Sequence, residues 1–395
     1  MLTAGLAGVI LARAVGPSVR GEYAAITSWF GFAVMVGAMG QPAALCFHVS
    51  RDPSQSRAYV ATSRAMMLTT GGLTLIAGLV VAPVLGHDNP AVTNGYRIAF
   101  GASIIAFVAA SYTYALQAKD LSRWNIVRVS QPVSSLIAVL ALWGLHILTL
   151  DASMVILSAT TLLQLGWAYR ACLASGLAPG RVQLRLIPPL AIYGLAQIAA
   201  VTPAALNADL DQLILSQTVR PSDLGRYAIA VSLTSLPIPL VAAVGNVAFP
   251  WLASQRAASS TTHRLQRLAI LGSAGLAVCM LAPLALVGYW LIPVVFGAAY
   301  RGAVPLLWIL TPGAVFLACG QVAGDLLRGL NRPVVVAWSQ GSAVVFTIAL
   351  LIALLPILGV YGAAVASTVA YGVALVSMLF CLWRLSHGAG TDKTE

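Results

Sequence analysis

Twelve apolar runs, each near the length that crosses a bilayer, follow one another along the 395 residues. They lie near 2–14, 23–48, 61–86, 97–117, 129–149, 152–174, 187–217, 227–252, 267–296, 302–327, 334–356 and 360–384. About 20 apolar residues in a helix span the hydrocarbon core. The longest connections, Ser50 to Ala61, Ala171 to Leu186 and Ala253 to Gln266, fall short of the ~40 residues that an independent domain needs. With 59% of residues apolar and only 8% charged, no polar shell is available for a soluble globule, where about a quarter would be charged. The runs are too long for barrel strands and do not alternate. Helices follow, because lipid-exposed backbone must satisfy its hydrogen bonds within its own segment. The expected fold is an all-α integral membrane protein of about twelve transmembrane helices.

The first run, residues 2–14, lacks the basic stretch that would precede the apolar part of a signal peptide. It reads as a shortened first helix, with part of that helix missing. Lys and Arg number 22 against 11 Asp and Glu, for a net charge of +11. Even-numbered connections and the C-terminal tail hold 16 of the basic residues. The odd connections hold six: Arg13, Arg20, Arg97, Arg220, Arg226 and Arg301. Since Lys and Arg in short loops stay on the cytoplasmic side, both termini and all even connections are expected inside. The charges are dispersed, so a nucleic-acid partner is not expected. Cys46, Cys172, Cys279, Cys319 and Cys381 show no C-x-x-C spacing, and the five His show no ligand spacing, so no metal is expected.

The halves repeat. Pro17-Ser18-Val19-Arg20-Gly21-Glu22-Tyr23-Ala24 returns as Pro221-Ser222-Asp223-Leu224-Gly225-Arg226-Tyr227-Ala228, and Ser130-Gln131 returns as Ser339-Gln340. The unit of repetition is six spans, an even number, so the copies run parallel about an axis along the membrane normal. Two six-helix lobes are expected, residues 1–180 and 181–385, followed by a short polar cytoplasmic tail, 386–395. Such repeats are typical of transporters with a site between the lobes.

Four motifs then resemble those of the polysaccharide flippases in the multidrug/oligosaccharidyl-lipid/polysaccharide superfamily. They are Arg13-Ala14-Val15-Gly16-Pro17 with Gly21-Glu22-Tyr23; Asp211-Gln212-Leu213-Ile214-Leu215 running to Gly225-Arg226-Tyr227; Phe296-Gly297, Tyr300, Pro305, Leu310-Thr311-Pro312 and Arg328-Gly329-Leu330-Asn331-Arg332-Pro333; and Gly359-Val360-Tyr361-Gly362-Ala363-Ala364. The resemblance covers nearly the whole chain. It implies flipping of an undecaprenyl-pyrophosphate-linked oligosaccharide from the inner to the outer leaflet by alternating access. It also implies a bacterial cytoplasmic membrane, a lipid-linked sugar as partner, and polysaccharide polymerase or export components as further partners. Unlike superfamily members that build a cation site in helix 11, residues 334–356 here carry no acidic side chain.

A sugar pyrophosphate needs cations and hydrogen-bonding side chains. Arg suits phosphate because its fork matches phosphate oxygens in bidentate fashion, and 20 of the 22 basic residues are Arg. Arg13 either faces a wet cavity or snorkels to the interface, since a charge inside the bilayer is costly. Arg20, Arg64, Arg226 and Arg256 are either phosphate contacts or loop and helix-end charges that set topology. Gln41 and Asn246 either bond sugar hydroxyls or join helices to one another. On helix 7, Asn207 and Asp211 share a face at i, i+4, whereas Asp209 points elsewhere. Asn207, Asp209 and Asp211 are the candidate ion-coupling residues, binding H⁺ or Na⁺. The alternative is a structural Asp211 satisfied by hydroxyls or an Arg. Asp325 and Arg328 are spaced for an ion pair, and Pro203, Pro237 and Pro239 offer bending points.

No other cofactor is expected. Two alternative functions remain: a cation-coupled antiporter of drugs or organic cations in the same superfamily, and a polyprenyl-dependent membrane glycosyltransferase or polymerase. The enzyme would need acid–base residues on a large extracytoplasmic loop. The odd connections are short and carry only Glu22, Asp88, Asp151 and Asp223, unpaired.

Overall fold

A computed structural model describes residues 2–87, 89–178, 180–254, 260–330 and 332–388. Among them the regular elements are α-helices and short 3-10 turns, with no strand. In chain order the helices are α1 (Leu2–Gly37), α2 (Gln41–Arg51), α3 (Ser56–Leu85), α4 (Pro90–Gly101), α5 (Ser103–Lys119), α6 (Leu121–Gly144), α7 (Leu150–Ala174) and α8 (Ile187–Thr218). They continue as α9 (Pro221–Ser235), α10 (Ile238–Ser254), α11 (Ser260–Val295), α12 (Ala303–Gly329), α13 (Pro333–Leu358) and α14 (Val360–Gly388).

Eight helices are each long and apolar enough to cross a membrane, and up to eleven spans result if each of three bent helix pairs is one crossing. A further division lies inside α1. Gly16 stands there at φ 76, ψ 176, a conformation that an L side chain resists, and Pro17 follows with no N–H to continue the ladder. Residues 2–15 therefore form a separate rod. Ala7 and Ile10 on that rod pack with Val139 of α6 and Ile156 of α7. The rod after Gly16 places Ile26 and Trp29 against Tyr96, Phe100 and Met154. Large apolar side chains remain exposed along the helices, such as Leu73 at 67%, Val84 at 71% and Ile357 at 78%. This is how a bundle meets lipid rather than water.

The second apolar run departs from its reading as one helix near 23–48. Met39 (φ 47) and Gly40 (φ 66) both adopt left-handed conformations, and the helices on either side bend by 44°. Gly40 is needed twice over. Its φ is positive, and a Cβ there would collide with the carbonyl oxygen of Gly194 in α8. Gln41 thus opens α2, with Pro42 in the first turn where its missing N–H costs nothing.

By packing, the chain divides into two compact units, Met1–Val201 and Thr202–Glu395. The division falls within α8, whose first half belongs to the first unit through Gly194 on Gly40 and the bond from Gln41 Nε2 to Leu190 O (3.4 Å). The core of the first unit joins Leu45, Tyr59, Leu116 and Leu190, and that of the second Val241, Val322, Leu326 and Met378.

Candidate functional site

The second half of α8 carries Asn207 and Asp211 on one face, each 3% exposed. Asp209, between them, is exposed. Burial of a carboxylate on an apolar helix demands partners, and α9 and α14 supply them. Ser367 Oγ donates to Asp211 Oδ2 at 2.8 Å, Tyr227 OH donates to the same oxygen, and the Gln212 backbone N donates to Oδ1 at 2.6 Å. No Lys or Arg among the described residues forms an ion pair with Asp211. Hydroxyls therefore satisfy this carboxylate, not a cation.

One turn away, Asn207 Nδ2 donates to Gln340 Oε1 at 3.0 Å, and Thr347 Oγ1 on α13 donates to Asn207 Oδ1 at 3.3 Å. The result is a buried polar ladder inside the second unit, from Gln340 and Thr347 through Asn207 to Asp211, Tyr227 and Ser367. Sequence reasoning does not single out Tyr227, Gln340, Thr347 or Ser367 as site residues. Two carry a usable signal, because Tyr227 and Gln340 each belong to a segment that repeats. At the repeat offset of 204 residues Asp211 corresponds to Ala7, so the carboxylate has no counterpart in the first unit. There Gln131, the equivalent of Gln340, bonds Thr161 Oγ1 at 3.1 Å.

The arginines are dispersed. In the first unit Arg13 is exposed just before the Gly16 break, and Arg20 lies 5.4 Å over the Tyr23 ring. Arg64, partly buried, donates to Tyr112 OH at 3.0 Å and pairs with no described carboxylate. In the second unit Arg226 pairs with Asp223 at 3.0 Å and donates to Ala299 O at 3.4 Å. This fixes the start of α9 to the turn before α12. Asp223 also holds Arg220 at 3.0 Å. Gln41 is 2% exposed with Oε1 unbonded, Asn246 is exposed, and Arg256 lies outside the described residues. Asp325 pairs with Arg328 at 2.8 Å. Among the described residues no group of three His, Cys, Asp or Glu could hold a metal.

A family model described as polysaccharide biosynthesis protein matches residues 3–256. No curated protein sequence matches. Among solved structures, the lipid II flippase MurJ aligns over 97% of this chain and 85% of its own, at 12% identity and TM-score 0.82. A multidrug resistance MATE family transporter of the MOP superfamily aligns over 99% and 96%, at 13% identity and TM-score 0.80. The MATE multidrug transporter DinF-BH aligns over 97% and 91%, at 17% identity and TM-score 0.63. At these identities the likeness is one of fold, shared with a flippase and with transporters.

Proposed function

This chain belongs to the polysaccharide biosynthesis protein family, and we propose that it flips an undecaprenyl-pyrophosphate-linked oligosaccharide from the inner to the outer leaflet of a bacterial cytoplasmic membrane. Both termini lie on the cytoplasmic side, as the loop charges suggest. Arg64 on the cytoplasmic side and Arg13 and Arg20 on the outer side hold the pyrophosphate in turn as two conformations alternate, and the polyprenyl tail stays in lipid. Polymerase and export components receive the product.

Asp211 couples this movement to a gradient of H⁺ or Na⁺, with Asn207 as its neighbour on the same face. The observation that carries the coupling is a carboxylate 3% exposed on an apolar helix, without a cationic partner among the described residues. A purely structural group there would not need to be ionisable, since an amide also accepts from Tyr227 and Ser367. Asp211→Asn separates the two roles. In proteoliposomes with an imposed gradient the variant is expected to keep its fold and lose gradient dependence, and gradient-dependent flipping at the wild-type rate would refute the coupling role. Arg13→Ala is expected to slow flipping, and an unchanged rate would remove Arg13 from the site.

A second reading, gradient-driven export of organic cations, is supported by the fold likeness to a multidrug transporter. It predicts drug-stimulated ion flux, which the flippase reading does not.

A further inference from the structure

We propose that a groove between α11 and α12 is a binding site for one monoanionic glycerophospholipid of phosphatidylglycerol type, with its phosphate on Arg301. The groove has a volume of about 420 Å³ and is walled by Tyr289, Trp290, Val294, Val304 and Trp308, with Arg301 at its rim. Both helices are membrane spans, Arg264–Val295 and Ala303–Gly329, so Arg301 lies in the short connection just beyond the hydrocarbon. Trp308 is five residues past the start of α12 at Ala303, ~8 Å deeper at 1.5 Å per residue. Trp290 is 66% exposed, Val294 70% and Trp308 51%, so the walls face lipid. The Trp308 indole is nonetheless fixed, because Nε1 donates to Ala285 O at 2.9 Å. Tyr289 and Trp290 meet edge to face at 5.4 Å. A cation at phosphate depth, with Val294 and Val304 just below it and Trp290 and Trp308 deeper still, follows the order of a charged headgroup above apolar chains.

Charge selects the headgroup. Arg301 is exposed and has no side-chain hydrogen bond or ion pair among the described residues. One guanidinium matches one phosphodiester. No carboxylate lines the groove, and Asp223, on the adjacent turn contact, is already held by Arg220 and Arg226. The ammonium of phosphatidylethanolamine would find no partner. The repeat supplies a control. Tyr96-Arg97 stands at the same offset as Tyr300-Arg301, and Arg97 is also exposed, but Ile104 replaces Trp308.

The test is native mass spectrometry of the full-length protein in mild detergent, titrated with phosphatidylglycerol and phosphatidylethanolamine of identical acyl chains. One phosphatidylglycerol is expected to bind several-fold more tightly than phosphatidylethanolamine, because both offer Arg301 the same phosphodiester but the ethanolamine ammonium is repelled by the guanidinium. Arg301→Gln should abolish that preference and Arg97→Gln should leave it unchanged, while equimolar inorganic phosphate should not displace the lipid. Equal binding of the two lipids by the wild-type protein overturns the proposal without recourse to any variant. So does equal loss in the two Arg variants, retention in Arg301→Gln, or displacement by phosphate alone.

Discussion

At the scale of single residues, the account turns on how a buried carboxylate is satisfied. Asp211 accepts from Tyr227, Ser367 and the Gln212 backbone. Tyr227→Phe removes one charge-assisted donor in a low-dielectric site and is expected to cost ~1.5–3 kcal/mol, seen as a lower melting temperature in detergent. A melting temperature unchanged from wild type would mean that the hydroxyl is idle. The sequence already carried the i, i+4 face shared by Asn207 and Asp211, because that face depends only on helix geometry. The partners Thr347 and Ser367 were not readable, since packing brings them from 140 and 156 residues away. Arg226 shows the reverse. Its position at a helix end fitted either a phosphate contact or a structural charge, and the ion pair with Asp223 shows it engaged in fixing α9.

At the scale of elements, breaks in helices matter as much as their lengths. The break at Gly16 falls in the gap between the apolar runs 2–14 and 23–48. The break at Gly40 was not legible in the sequence, because its cause lies in Gly194, distant along the chain. Either Gly40→Ala or Gly194→Ala puts a Cβ into backbone rather than into a yielding side chain, so both are expected to lower the melting temperature by several degrees. Wild-type stability in both variants would show that the close approach does not matter.

Asp120, in the gap between α5 and α6, accepts from the Arg123 backbone N at 3.1 Å and from Ser175 Oγ at 3.1 Å. The Arg123 N–H foremost, then Ser175 and the Arg123 guanidinium, hold its carboxyl below the usual range. A lowered carboxyl contributes stability above its unfolded-state pKa and loses it as pH falls through the folded one. Asp120→Ala should therefore melt below wild type at pH 7, and the gap should narrow in acid. A gap that widens in acid would contradict the assignment.

At the scale of the whole molecule, the all-helical membrane-spanning architecture was legible because bilayer thickness sets a length that apolar runs must meet, and the described residues give eight spans, or up to eleven with bent pairs joined. The charge asymmetry of the loops predicts orientation independently. With native cysteines replaced, a cysteine at Ala91, in an odd connection, should react with an impermeant maleimide in intact cells. One at Ser54, in an even connection, should react only after lysis, and the opposite pattern would invert the topology.

The repeat was equally legible, yet the two units differ where chemistry is concerned. Asp211 and its hydroxyl donors occupy the second, and Ala7 stands at the matching place in the first. The most direct measurement is the rate at which a fluorescent polyprenyl-pyrophosphate oligosaccharide crosses the bilayer of proteoliposomes bearing an ion gradient. Acceleration by the wild-type protein, with gradient dependence lost in Asp211→Asn, is the predicted result. A rate no faster than in protein-free liposomes would contradict the account.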